Sequence, residues 1–389
     1  MNSRKTVLAQ ILAGLSGEEF SRCAKQYPMS RDTTAISAFD HFATMVFAQL
    51  TYRESLRDIE ACLEARRRLL YHSGIRGRVK RCNLAYANTH RDWRVFAAVA
   101  AVLMRRAQRL HADQPPEPDL PFGLFALDAT LIELSLALFP WARWQRCHAA
   151  VKLNVLLDLR TDIPVFASLH EGSRHEVASL DEIPIQPDSF YVIDRGYLDF
   201  LRLYRLHVAK AFFVIRSKCN LRFYVVESRP VDKTSGVRCD QTIRLNFRKS
   251  RQHYPETLRR IRYFDADSGL SLVFLTNAFH LPALTVAAIY RRRWQIELFF
   301  RWIKQHLRLR GFFSNDPNGV RVQVWTAICA YLLVAIAKKE NALRQSLHQV
   351  LQVVSLSCLE KVPLVELFVK HDITIQPFDM PIQLEINGF

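Results

Sequence analysis

The sequence predicts an α/β fold: a mixed-sheet core interrupted by a β-rich insertion, with an N-terminal helical domain before it and a helical C-terminal region after it. Three observations predict this. Apolar residues recur at helical spacing through the first 110 positions. A segment with four prolines in eleven residues, His111 to Pro121, ends that pattern and reads as a linker. Beyond it, strand-like runs come first in meander order and then alternate with helices, the pattern of a mixed sheet.

Within the helical region, residues 1–110, three amphipathic stretches stand out: Val7 to Tyr27, Ala35 to Leu50, and Ser55 to Leu70 with Ser55 as N-cap. A basic helix follows from Asp92 to Leu110. After the linker at 111–121, the first part of the core, 122–216, holds the strands Leu124 to Ser135, Ala149 to Leu159, Val165 to Leu169, Phe190 to Asp194 and Ala211 to Arg216. Helical stretches are predicted near Glu176 to Glu182 and over Leu201 to Leu206. Residues 217–283 are β-rich and basic, with turn signals such as Asp265-Ala-Asp-Ser-Gly269, and read as an inserted subdomain. The second part of the core, 284–338, opens with one long helix, Leu284 to Leu309. Val322 to Ala337 follows, an apolar run too short to span a bilayer comfortably, which reads as a buried core helix. Residues 339–389 form the helical tail.

The charge is uneven. The chain carries 54 Lys and Arg against 37 Asp and Glu, a net of +17. Arg66 to Arg109 holds twelve cations and one acid, and Arg216 to Tyr263 thirteen cations and four acids, so these two tracts outweigh the whole excess. Concentrated positive charge attracts phosphate backbones by counterion release, while a solvated Arg-rich face is the plainer reading. Eight cysteines without a CxxC pair argue against a disulfide framework or structural zinc and for a reducing cytosol. The N-terminus makes a poor signal peptide. The chain therefore reads as soluble and cytoplasmic, with no membrane partner.

Nucleotide-binding and serine-hydrolase motifs are absent: no GxxxxGK[ST], GxGxxG or GxSxG occurs. His170, Glu171 and His175 have a His-to-His spacing of five, where one helix face needs four, and Gly172-Ser173 marks a loop. Three acids remain. Asp128 sits in an otherwise apolar strand, where an ionised carboxylate is costly unless paired or metal-bound. Asp194 ends a strand and opens an Asp-Arg-Gly-Tyr turn; strand carboxyl ends often face a ligand crevice, although an Asp shortly before Gly is also ordinary turn chemistry. Glu297 shares one face of the predicted long helix with Tyr290, Arg293, Arg301 and Lys304, separate from the apolar stripe of Ile296, Phe299, Phe300, Ile303 and Leu307. Taken alone, that face is equally a solvated surface laced with i,i+4 ion pairs. Together, three carboxylates offer the hard oxygen ligands that suit two Mg²⁺ ions, with Mn²⁺ as a substitute, for in-line phosphoryl transfer.

At these residues the chain resembles the DDE transposases of the insertion-sequence-four family. Their signature of Tyr, two residues, Arg, three residues, Glu, six residues, Lys is matched by Tyr290, Arg293, Glu297 and Lys304. Their first Asp block is matched by Asp128-Ala-Thr130, and the second by Asp194-Arg195-Gly196-Tyr197. The resemblance implies an RNase H-like core with Asp128, Asp194 and Glu297 as catalytic metal ligands, and a β-rich insertion before the Glu helix. It implies DNA contacts from Tyr290, Arg293, Arg301, Lys304 and Arg195. It also implies double-stranded DNA ends held by a homodimer, 3′-strand nicking by water, and cut-and-paste transfer to target DNA in the bacterial nucleoid. Some members form a hairpin aided by an insertion aromatic; this insertion has no tryptophan, and Phe223, Tyr224 and Tyr254 stand among its aromatics. The rival readings are a DNA-binding protein without catalysis, such as a decayed transposase, and a nuclease that cuts without joining. A two-carboxylate glycosidase leaves the basic tracts unexplained.

Overall fold

The computed structural model describes residues 5–28, 35–112, 123–145, 148–306 and 311–369. Most of the expected linker and the tail from 370 onward lie outside the described residues.

Among the described residues, seven helices precede the sheet: α1 (Val7–Leu12), α2 (Gly17–Gln26), α3 (Ala38–Leu50), α4 (Leu56–Ala65), α5 (Arg67–Leu70), α6 (Arg81–His90) and α7 (Arg94–Leu110). The amphipathic stretch Val7 to Tyr27 is two helices. Ser16 starts α2 with a capping box, its hydroxyl accepting from the Glu19 N–H while the Glu19 carboxylate accepts from the Ser16 N–H. Ser55 caps α4 as expected, accepting from the Asp58 N–H, but the helix breaks at Arg66 before α5. α6 falls inside the expected helical region but outside the amphipathic stretches, because its own amphipathicity is weak.

One ten-stranded mixed sheet forms the centre. Its strands are β1 (Leu124–Leu134), β2 (Arg143–Gln145), β3 (His148–Asp158), β4 (Ile163–Glu171), β5 (Phe190–Ile193), β6 (Phe212–Arg216), β7 (Phe223–Arg229), β8 (Val237–Leu245), β9 (Leu258–Asp265) and β10 (Leu270–Thr276). The order is β2-β3-β1-β5-β6-β10-β9-β8-β7, with β4 beside β3. β1, β5 and β6 run parallel to one another at the centre, and every other pairing is antiparallel. Residues 217–283 are β-rich as expected, yet they do not build a sheet of their own. β10 pairs with β6 through Phe274↔Arg216 to Thr276↔Val214, so the insertion extends the central sheet.

Strand alternation sorts the side chains onto two faces. On one, Leu124, Ala126, Phe190, Val192 and Val214 join a large core with the N-terminal helices, α10 (Ala283–Arg291), α11 (Trp294–His306) and α12 (Pro317–Glu340). On the other, Phe125, Leu127, Tyr191, Ile193 and Phe213 pack against α8 (Phe200–Val208) and the residues after α9 (Arg248–His253). α13 (Leu347–Ser357) closes the described chain, followed by a single 3-10 turn, Leu364–Phe368.

α12 is longer than the apolar run that predicted it. By length and composition it is able to cross a membrane, but 94% of its most apolar window is buried within the protein. It runs through the helical layer, and its first turn ties that layer together. The Asn318 side-chain amide donates to the carbonyls of Asn88 and Arg91, while its oxygen accepts from the Trp93 N–H.

The predicted single helix Leu284 to Leu309 is also two, α10 and α11, separated at Arg292-Arg293. There the backbone tightens into i→i−3 bonds, with the Arg293 N–H donating to Tyr290 O and the Ile296 N–H to Arg293 O. Tyr290 and Glu297 thus belong to different helices, and the continuous stripe expected from Tyr290 to Lys304 is interrupted.

Candidate active site

The parallel pairing of β1 with β5 runs from Leu124↔Phe190 to Leu127↔Ile193. One step further along both strands stand Asp128 and Asp194, on the face that carries α10 and α11. The period of two places both acids on the same side as Ala126 and Val192.

α10 and α11 supply the other half. The Tyr290 hydroxyl, near the end of α10, donates to Asp194 Oδ1 at 3.1 Å. Arg293, in the break, reaches two acids at once: Nη1 lies 3.2 Å from Asp128 Oδ2 and Nη2 lies 2.6 Å from Glu297 Oε1 on the first turn of α11. The side chains of Asp128 and Arg293 are only 19% and 17% exposed, so this charge pairing is poorly screened. Three acids from three elements are therefore gathered around one guanidinium and one phenol.

The electrostatics reflect that burial. Desolvation pushes the Asp128 carboxyl up to about 6, against the Ala129 N–H and Arg293, with Asp194 and Glu176 adding to the rise. Burial likewise raises the Tyr290 hydroxyl to about 12, which keeps it a hydrogen-bond donor. Burial lowers the Arg293 guanidinium, but Tyr290, Asp128 and Glu297 outweigh it and leave the group above its ordinary value.

Not every predicted residue joins this cluster. Arg301 is exposed, its guanidinium 5.8 Å over the Trp294 ring. Lys304 is half-buried further along α11, lowered by desolvation against the pull of Glu133. Arg195 is exposed on the turn after Asp194. Tyr290 is buried and engaged with Asp194, and Arg293 spans two acids, so neither presents itself outward. Of the insertion aromatics, Tyr254 is buried with its hydroxyl 2.7 Å from His207 Nδ1, Phe223 lies under Arg260, and Tyr224 is exposed.

A further acid comes close that the sequence did not single out. Glu176 opens the 3-10 turn Glu176–Asp181, and its carboxylate lies 3.5 Å from where a Cβ would stand on Gly196. It forms a 3.6 Å ion pair with Lys152, a buried lysine on β3. The nearby Tyr197 side chain is buried.

The donor set suits a hard divalent cation. It consists of carboxylates in a desolvated setting, whose charge calls for a cation, a place that the Arg293 guanidinium takes for Asp128 and Glu297. Among the described residues, no three acid, histidine or cysteine side chains stand close enough together to enclose an ion as they are. His170 and His175 are no exception: His170 lies against Ser168 and Glu182 at 3.1 and 3.0 Å.

The family model for the transposase DDE domain matches residues 120–333, and one described as a domain of unknown function (DUF4372) matches residues 3–76. The chain is 35% identical to "Putative transposase y4zB" of Sinorhizobium fredii over 66% of this chain and 71% of that protein. It is 31% identical to "Probable transposase for insertion sequence element IS5377" of Geobacillus stearothermophilus, over 55% of this chain and 56% of the relative. To "Putative transposase for insertion sequence element IS4SA" of Synechocystis it is 24% identical, over 64% and 69%. A cryo-EM structure of the piggyBac transposase synaptic complex with hairpin DNA aligns with a TM-score of 0.45 and 11% identity, covering 90% of this chain and 77% of that one. With the family match spanning more than half the chain and a relative above 30% identity over most of its own length, the chain belongs to the transposase DDE domain family, the transposases of insertion-sequence elements.

Proposed function

We propose that this transposase cuts the two ends of its element and joins them to target DNA, using Asp128, Asp194 and Glu297 on an RNase H-like core. One observation carries the reading: Arg293 links Asp128 to Glu297 while Tyr290 holds Asp194, so acids 66 to 169 residues apart in sequence are held by two side chains only three positions apart. In this reading the three carboxylates hold two Mg²⁺ ions, or Mn²⁺ in their place. When bound, such ions supply Lewis-acid stabilisation of the attacking and leaving oxygens of a phosphodiester. Tyr290 keeps Asp194 oriented, and Arg293 keeps Asp128 and Glu297 facing one another.

The reaction is two in-line displacements. Water oxygen bonds to the phosphorus at each element end as the 3′ oxygen departs and takes up a proton. The freed 3′-OH then attacks a target phosphorus in the same sense. Exposed Arg195 and Arg301, with half-buried Lys304, supply cations for the DNA backbone beside the acids. The tracts at 66–109 and 216–263 bind the terminal inverted repeats and flanking duplex, and a homodimer brings two ends together in the bacterial nucleoid.

The test is a cleavage and strand-transfer assay on duplexes carrying the element's ends, with Mg²⁺ or Mn²⁺. Wild type is expected to nick the 3′ strands and join them to target. Asp128→Asn is expected to lose both steps to background while still shifting the duplex in a gel. Cleavage that survives this substitution removes Asp128 from the scheme. Nicking without joining identifies a nuclease, and shifting without nicking identifies a DNA-binding protein without catalysis.

A further inference from the structure

The chain between the 3-10 turn Tyr71–Ser73 and α6 is irregular, yet it is fixed at its ends and in its middle. Gly74 turns it with φ +84°, the Ile75 N–H donates to the Leu70 carbonyl at 3.0 Å, and Ile75 and Val79 are buried. Between them the backbone is held by Asp40, on the first turn of α3. That carboxylate is itself buried, and it accepts from the Arg76 N–H at 2.9 Å and the Gly77 N–H at 3.1 Å. Gly77 permits the approach, since a Cβ there would stand 3.0 Å from Asp40 Oδ2.

With two backbone amides turned inward, the loop leaves the side chains of Arg76 and Arg78 exposed. Both line a small hollow of about 130 Å³ together with Arg67 of α5. Glu64 is the acid of that hollow, 3.5 Å from Arg78 and 3.8 Å from Arg67, while Arg76 enters no ion pair among the described residues. From Arg66 to Arg81 there are seven exposed cations and no acid.

This density of charge suits a phosphate backbone, and the shape of the loop selects the groove. It offers neither a helix nor a two-stranded ribbon, the elements that fill a major groove about 12 Å wide. A single arginine standing off a fixed backbone suits the minor groove, about 6 Å wide, and a guanidinium is more weakly hydrated than an ammonium. A·T-rich stretches narrow that groove and strengthen its negative potential. Buried anchors on both sides of Arg76 also reduce the ordering that binding would otherwise cost.

We infer that the loop from Gly74 to Lys80 reads the minor groove of duplex DNA. Arg76 enters the groove at an A·T-rich stretch, and Arg67 and Arg78 hold adjoining phosphates. The inference deepens the reading of the 66–109 tract as a binder of element ends and rests on it, but it is measured without catalysis.

The probes are three fluorescein-labelled duplexes that differ only in a central block of A·T, G·C or inosine·cytosine pairs, mixed with the full chain without divalent cations. Inosine·cytosine keeps the hydrogen-bonding edge that G·C shows in the major groove but lacks the guanine amino group in the minor groove. Wild type is expected to bind the A·T and inosine·cytosine blocks roughly tenfold more tightly than the G·C block. Arg76→Ala is expected to erase that preference with an unchanged thermal melt, and Arg76→Lys to recover affinity for all three duplexes but little of the preference. Arg109→Ala, a change in the same tract on α7, should weaken all three alike and keep the ratio. The proposal is overturned if the inosine·cytosine block binds like G·C, which marks major-groove reading, or if Arg76→Ala retains the preference. It is equally overturned if wild type binds the three blocks alike, which leaves phosphate contacts only. A chain that prefers A·T through Arg76 but never cuts its element ends keeps the groove contact and loses the transposition scheme. One that cuts its ends but shows no preference lost with Arg76 does the reverse.

Discussion

Asp128 and Asp194 stand one residue beyond the last paired positions, Leu127 and Ile193, of two adjacent parallel strands. A separation of 66 positions in the chain is thereby reduced to a single step across a sheet. This placement is fixed by backbone pairing, whereas Glu297 reaches the same place through the packing of α11 and the grip of Arg293. The site has one rigid wall and one wall set by side chains.

The Arg293 bridge is expected to show in stability. Arg293→Ala leaves the largely buried Asp128 carboxylate without its cation and should cost about 2 kcal/mol, below the range for fully buried pairs because all three groups keep some exposure. In the Asp128→Asn background the same substitution should cost about 1 kcal/mol less. A double-mutant cycle by denaturant unfolding measures the coupling, and additive losses would show that the 3.2 Å contact carries no weight.

Tyr290→Phe removes only the hydroxyl that donates to Asp194. The ring packs on Phe274 with centroids 4.7 Å apart, so folding should change by no more than about 1 kcal/mol. Cleavage should fall about tenfold or more as Asp194 loses its orienting partner. Equal cleavage rates for Phe and Tyr would take the hydroxyl out of the site.

The buried pair Asp240–Arg259 lies in the insertion yet bears on the acid helices. Arg259 bonds both Asp240 oxygens, at 2.9 and 2.6 Å, and donates to the carbonyls of Ala278 and Leu281 just before α10. Asp240→Ala is expected to destabilise by about 3 kcal/mol and to slow cleavage as well. Asp240→Asn/Arg259→Met should recover much of the stability without recovering the rate, because the two carbonyls stay unbonded. Thermal melts and initial cleavage rates separate the two effects.

His41 makes acid stability testable. It is wholly buried between α6 and the Phe96 ring, 2.8 Å from Asn88, and burial together with Arg91 pushes its pKa down to about 3. The unfolded chain protonates near the ordinary value of about 6.5, so below that pH the unfolded state binds more protons. Stability is therefore complete above pH ~6.5 and is lost as pH falls toward 3, by about 2 kcal/mol at pH 5. Unfolding curves at pH 7 and pH 5 should differ less for His41→Gln than for wild type. An identical pH dependence would count against a neutral buried histidine.

Much of the candidate site was legible because its chemistry conflicts with its surroundings. Asp128 interrupts an apolar strand, Asp194 terminates one, and Glu297 sits among cations off the apolar stripe. What was hidden has physical reasons. Nothing in Arg291-Arg292-Arg293 marks a helix break, since no Gly or Pro is present and the tightening serves contacts to Asp128 and Glu297 from distant strands. The union of β10 with β6 is a long-range pairing with no local signal. Glu176 lies in irregular chain without periodicity, so only folding reveals that it reaches the Gly196 turn. Lys152 is one polar residue within an otherwise apolar strand, and its burial follows from the sheet around it.

Because β10 hydrogen-bonds along β6, residues 217–283 are no removable cassette. Excising them would strip β6 of its partner and leave a bare, sticky rim at the middle of the protein. It would also delete the stretch that carries the chain from that rim back to Tyr290. Variation among relatives should therefore accumulate at the outer strands β7 and β8, while the seam between β6 and β10 stays closed.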